Sequence, residues 1–544
     1  MNAKFLGYHI DLKRPMWTRA YLETTADRLR GWGFNAVLWE IEDKFRFSRH
    51  PAIGHPEAPS HEETAGLVDA FRSRGLEVVP MMQSLGHAEC VVGRPEYAHL
   101  REAPEVGDQY DPLSDEARAM ILELYDEIIA VLRPREFFHV GGDETFSLGV
   151  GPRSRPVVEK LGIGGLYLRH MLPILEHVHR RGLRPIIWAD IVLSHPEIIP
   201  EIPKYVVMMD WDYGVRAERG PGLHIHGGGA VDPRTGHRAT IWGLTWADYA
   251  RCENPAFRKH FERYAVDGQT RRDGTFPQFY ATDALRGAGL EVITASASRS
   301  CGDAVGVPDA EMHMPNCFHS ARKGLGAGAG HLVTSWAVRH NHPELGLPVA
   351  FAAALAASTG GDFDERGLYE AFTRDFYGAA IPEFADAVRL AARPFPSAES
   401  RTLLEARGRL ERGEDPLPGL IEPLERKCGG RRAAAERLGE LRAGYAQARG
   451  LLEAARAKAA RNAHNLDFWL EGTDLQLLYA DFALAALAGR LAGEAPGLLA
   501  RLAGLRETTR RLFAETYAPQ GLAGELGLRY DPLEACLKRR EEAP

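Results

Sequence analysis

Cysteine is scarce in this chain and never closely spaced. Six residues, at positions 90, 252, 301, 317, 428 and 536, are scattered through 544 with no Cys-x-x-Cys pair. That distribution argues against a disulfide framework and against a thiolate zinc cage, and it fits reduced thiols in a cytoplasm. Long apolar runs are missing as well: nothing approaches the roughly 18 residues that a membrane-spanning helix needs. So is an excess of basic charge. A formal charge of −8 speaks against nucleic acid or an anionic membrane as a partner. Met1-Asn2-Ala3-Lys4 runs straight into the strand-like Phe5-Leu6-Gly7-Tyr8 without an apolar leader segment. The expectation is a cytoplasmic protein.

What remains is ordinary globular composition, 45% apolar and 26% charged, in a chain long enough for a large barrel plus a second unit. Short apolar runs alternate with amphipathic segments as far as about residue 358. The strand candidates are Phe5–Leu12, Ala36–Glu40, Glu77–Gln83, Phe137–Gly142, Pro185–Ile191, Tyr205–Trp211, Glu291–Ser296 and His331–Trp336. Between most of them lie helical patterns such as Tyr21–Trp32, Glu62–Arg74, Glu116–Leu132 and Leu166–Arg181, and Gly33, Gly75, Gly182 and Gly289 follow helix ends. The α/β alternation and the count of eight predict a (β/α)8 TIM barrel over 1–360. An insertion at about 214–272, with a hairpin-like Asp232-Pro233-Arg234-Thr235-Gly236, follows the sixth strand. From 361 to 544 Ala, Leu, Arg and Glu dominate, and Arg393-Pro394-Phe395-Pro396-Ser397 breaks the stretch. Leu438, Leu441, Tyr445, Ala448, Leu452 and Ala455 keep a helical spacing that Leu475, Leu478 and Phe482 resume. An all-α C-terminal domain of antiparallel helices is expected there, with surface for a homodimer.

One stretch organises the rest: Phe137-Phe138-His139-Val140-Gly141-Gly142-Asp143-Glu144. Neighbours on a regular strand point to opposite faces, so Asp143 and Glu144 need the freedom of Gly141 and Gly142 to turn into one pocket. Two carboxylates held close push their pKa values apart, and one can stay protonated near neutral pH. Barrels carry their active sites at strand C-termini. Those ends deliver His9, Asp11 and Lys13; Trp39, Glu40, Glu42 and Asp43; Gln83, His87 and Glu89; Trp188 and Asp190; Asp210, Trp211, Asp212 and Tyr213; Trp336 and Arg339. Rings stack on the C–H face of a pyranose while acids hold its hydroxyls, so the pattern suits a sugar.

These stretches resemble glycoside hydrolase family 20, the β-N-acetylhexosaminidases. His139-Val140-Gly141-Gly142-Asp143-Glu144 matches the family's H-x-G-G-D-E signature. His9-Ile10-Asp11-Leu12-Lys13, Glu40-Ile41-Glu42-Asp43-Lys44-Phe45, Gln83-Ser84-Leu85-Gly86-His87, Trp188-Ala189-Asp190 and Thr334-Ser335-Trp336 look most like its hexosaminidase D branch. The resemblance implies retaining, substrate-assisted hydrolysis of terminal amino sugars with no cofactor or metal, one of the exceptions to two-carboxylate catalysis. It implies Glu144 as general acid/base and Asp143 holding the acetamido N–H. His87 is expected near the acid, Trp188, Trp211 and Trp336 around the terminal sugar, and Tyr213 on the acetamido oxygen. His139 is expected to support the loop. Asp11 joins the expected substrate-binding set. The family's first-strand Arg has no counterpart placed here, and Ala337-Val338-Arg339 stands where an acid is usual. Glu40, Asp190 and Arg339 are therefore expected to read the hydroxyls. Two rivals are a metal-dependent sugar-processing barrel, using His224-x-His226, His340-x-His342 and His50, His55 and His61, and a catalytically silent sugar-binding barrel. None of those histidines has a recognised ligand spacing, and a sugar-binding protein needs no proton donor.

Overall fold

The computed structural model describes residues 4–358, 361–395 and 400–541. Eight parallel strands close into a barrel: β1 (Phe5–Asp11), β2 (Ala36–Glu40), β3 (Glu77–Met81), β4 (Phe137–His139), β5 (Arg184–Trp188), β6 (Val207–Trp211), β7 (Glu291–Arg299) and β8 (Gly330–Ser335). β1 closes the ring on β8, with Tyr8 opposite Val333. The expected TIM barrel is the fold. Strand starts lie within two residues of expectation, and strand ends are less faithful. β4 stops at His139, because Gly141 and Gly142 take φ of +72° and +89° and leave the extended region. β7 runs on to Arg299 although Ala295-Ser296-Ala297-Ser298 carries little strand propensity, since β8 pairs with it as far as Ser335.

Alternate side chains fill the barrel. Leu38, Val79, Ile186, Met209, Ile293 and Leu332 are buried together inside it, and Trp188, the last residue of β5, lies in the same cluster. Outside, the helix Arg19–Gly31 starts on the Thr18 hydroxyl, and His61–Ser73 starts on a Ser60/Glu63 capping box. Gly33, Gly75, Gly182 and Gly289, at φ of +80° to +91°, turn the chain from helix to strand as their spacing predicts.

The long connection after β6 contains an antiparallel pair, Gly222–Ile225 against Ile241–Thr245. Between them the expected turn closes, the Gly236 N–H donating to the Asp232 carbonyl at 2.7 Å. Further on, the helices Arg431–Lys458 and Asn465–Leu487 run antiparallel. Arg442–Asp481, Arg449–Asp474 and Arg456–Asp467 form a ladder of ion pairs between them. All six residues of the spaced apolar series, Leu438 to Ala455, are buried. A single apolar cluster joins barrel residues such as Leu22 and Phe34 to Phe384, Leu466, Trp469 and Phe513, so these helices share the barrel's outer core. Residue 360, where the domain boundary is expected, and Pro396-Ser397 of the expected break lie outside the described residues.

Candidate active site

β4 ends in a turn that aims two acids the same way. The Gly141 position favours glycine twice over: its φ is left-handed, and a Cβ there would stand 1.8 Å from the Gln83 amide oxygen, which would have to shift. Glu144 itself takes a left-handed φ of +46°. This strain is held by its neighbours, since the Glu144 N–H donates to Asp190 Oδ2 at 2.9 Å. His139 supports the turn by accepting the Gly141 N–H on Nδ1 at 3.0 Å.

From the loop after β3, His87 also takes a left-handed φ, +53°, and places Nε2 3.5 Å from Asp143 Oδ2 and 3.3 Å from Glu144 Oε2. One imidazole therefore bridges the two carboxylates. Burial would lower its pKa, but the Asp143 charge and the Glu144 hydrogen bond outweigh that and raise it to about 10. Glu144 is lowered, chiefly by its hydrogen bond to His87. Asp143 is raised by burial and by the Glu144 charge, against the pull of His87. The acids are pushed apart as close carboxylates should be. Of the three groups His87 is therefore the one favoured to hold the proton, and Glu144 the one favoured to be ionised.

Both acids open into a cavity of about 460 Å³ at the strand C-termini. Its walls include Glu40, His87, Trp188, Trp211, Tyr213, Trp336 and Arg339, all expected from the sequence. Trp336 donates its Nε1–H to the Tyr213 hydroxyl at 3.1 Å, and its ring lies 6.1 Å from Trp188. Glu40 holds His9 Nε2 at 2.9 Å, and burial raises its pKa to about 8.

Two expected binding residues do not reach the cavity. Asp11 is fully buried and spends both oxygens on the backbone, accepting the Lys13 and Ala337 N–H groups at 2.7 Å each. Asp190 opens a short helix behind Glu144, and burial raises its pKa to about 8. Both hold the backbone of segments that line the cavity.

Other cavity residues are absent from the expected set. Lys13 and Glu89, 3.1 Å apart, line one wall; both stand in the strand-end stretches read from the sequence but outside the expected binding set. Ser300 and Cys301 come from the β7 end, which the small-residue pattern placed three positions early, and Met312 comes from the first turn of the following helix, Ala310–Gly326. Trp242 comes from the insertion, where nothing in the local pattern marks it. The histidines weighed as metal ligands are dispersed: His224 pairs with Asp212, His340 with Glu525, and His342 with Thr516. Among the described residues no group of three or more His, Cys, Asp or Glu side chains is arranged to hold a metal ion. No helix among them is long and apolar enough to cross a membrane.

The barrel gathers acids and tryptophans into one cavity at its strand C-termini. Residues 4–223 match the model of glycosyl hydrolase family 20, catalytic domain. Hexosaminidase D of Bos taurus is 30% identical over 229 residues, which cover 40% of this chain and 64% of that protein, a little under two thirds of its length. Hexosaminidase D of Homo sapiens is 26% identical over 416 residues, 73% of this chain and 74% of that one. Among solved structures, the chitobiase of Flavobacterium johnsoniae is matched over 98% of this chain and 78% of its own, with a TM-score of 0.48 and 13% identity. The β-N-acetylhexosaminidase of Bacteroides fragilis is matched over 69% and 70%, with a TM-score of 0.44 and 17% identity.

Proposed function

We propose that this chain is a retaining exo-β-N-acetylhexosaminidase that removes terminal β-linked GlcNAc or GalNAc by substrate-assisted catalysis. The observation that carries the reading is the single His87 nitrogen set between Asp143 and Glu144 at one wall of a tryptophan-lined cavity. Glu144 is 40% exposed. A sugar that enters excludes solvent from Glu144, and an ionised carboxylate without solvent is disfavoured. The proton then passes from His87 to Glu144.

Glu144 gives it to the glycosidic oxygen as that bond breaks. The substrate's acetamido oxygen attacks C1 and forms an oxazolinium ion. Asp143, buried and negative at this stage, accepts the acetamido N–H and balances the developing charge. Water then adds to C1 with Glu144 as base, so the two inversions leave the configuration retained. Tyr213 hydrogen-bonds the acetamido oxygen, Trp188, Trp211 and Trp336 enclose the ring, and Lys13, Glu40 and Arg339 take the hydroxyls. The test compares chromogenic β-GlcNAc, β-GalNAc and unacetylated β-glucosaminide substrates. The two acetylated sugars should be cleaved and the third hardly at all. An unacetylated sugar as best substrate removes the mechanism.

A further inference from the structure

Of the large apolar side chains that the described residues leave exposed, only one lines the cavity. Trp242 is 58% exposed and stands on the strand Ile241–Thr245 of the insertion, outside the stretches that resemble the family. An indole left more than half in water costs solvation free energy unless something covers it.

It is also firmly held. The Trp242 ring rests edge-on against His224, with centroids 4.7 Å apart. His224 Nδ1 is 3.0 Å from Asp212 Oδ2, and Asp212 follows the last residue of β6. Asp212 is fixed in turn, since its carboxylate accepts the Gly214 and Val215 N–H groups and its carbonyl accepts the Asn316 amide. The platform is thus tied to the barrel rim through His224 and Asp212. Met312, Cys301 and Val338 continue an apolar wall in the same cavity. Trp188, Trp211 and Trp336 already enclose the terminal sugar in the proposed function, which leaves Trp242 for what lies on the other side of the scissile bond.

We infer that Trp242, braced by His224 and Asp212, is the platform of a leaving-group subsite that takes a flat ring, either the C–H face of a second β-linked pyranose or an aryl aglycone. The inference rests on the glycosidase reading. Stacking on an indole face gives affinity without hydrogen-bond readout, so the subsite selects for a ring more than for a particular sugar.

The experiment measures kcat/KM of the wild type, Trp242→Ala and Trp242→Phe on three β-GlcNAc glycosides: the disaccharide N,N′-diacetylchitobiose, a 4-methylumbelliferyl glycoside and the methyl glycoside. In Trp242→Ala the ratio of ring-bearing to methyl substrate should fall roughly tenfold, mainly through KM, and Trp242→Phe should restore most of it. A loss confined to the disaccharide assigns the subsite to a pyranose, and one confined to the umbelliferyl glycoside assigns it to an aryl group. A ratio that stays within about twofold of wild type on both overturns the subsite alone. A wild type that cleaves none of the three overturns the glycosidase reading as well.

Discussion

His340 Nδ1 lies 2.8 Å from Glu525 Oε1, and the two residues stand 185 positions apart. His340, at φ +62°, directly follows Arg339 of the cavity wall, while Glu525 sits in the C-terminal helix Pro519–Glu541. One turn further along that helix, Arg529 donates to the His340 carbonyl at 2.6 Å and to the Val305 carbonyl at 3.2 Å. The loops after β7 and β8, which supply Cys301, Trp336 and Arg339, are therefore pinned from the helical region. Glu525 does not line the cavity. Glu525→Ala should cost about 3 kcal/mol of stability or more, because it leaves buried partners unpaired. It should also raise KM several-fold with a smaller change in kcat. Denaturant unfolding and steady-state kinetics check both; an unchanged KM would mean that the helices only stabilise.

Glu144→Gln keeps the shape of the site and removes the proton. On a substrate with a poor leaving group kcat should fall on the order of 10²-fold or more, and far less on an activated aryl glycoside. Asp143→Asn should fall comparably on both, because the charge it supplies is needed whichever group departs. Near wild-type turnover of the poor substrate by Glu144→Gln would end the assignment of the acid.

The shared proton has a pH signature. His87 is raised to about 10, so in the free enzyme the histidine and the two acids keep their common proton well above neutrality and release it only as pH climbs towards that value. The alkaline limb of kcat/KM should therefore lie above neutral pH. In His87→Gln only a carboxyl can hold the proton. Glu144 is then released from the hydrogen bond that lowers it, yet it still titrates below the imidazole, and the alkaline limb should move to lower pH. A limb that stays in place would show that the histidine holds no part of the catalytic proton.

Gly141→Ala places a methyl group where the Gln83 amide stands, on a backbone with φ of +72°. It should cost about 1–3 kcal/mol in strain and lower kcat sharply, because the Gln83 side chain that would have to move lies 3.5 Å from Asp143. Thermal unfolding and kcat together check this, and wild-type kcat in a folded variant would mean that Asp143 needs no such support.

The barrel was legible because each strand is a local signal: an apolar run, a glycine after the preceding helix, and a count of eight. The acids and most of the aromatic wall were legible for the same reason, since a residue at a strand end needs only the strand to place it. Asp11 and Asp190 looked identical to the others by that rule. What separates them is whether a backbone N–H from another segment lies in reach, Ala337 for one and Glu144 for the other. Local pattern determined that Asp143 and Glu144 would leave β4 through two glycines and share a pocket. Only the tertiary structure decided that His87 would come between them and take the proton, that Trp242 would arrive from the insertion, and that the wall would be braced by Glu525. Those relationships join residues far apart in the chain, and their energies depend on burial and distance, which no spacing in the sequence encodes.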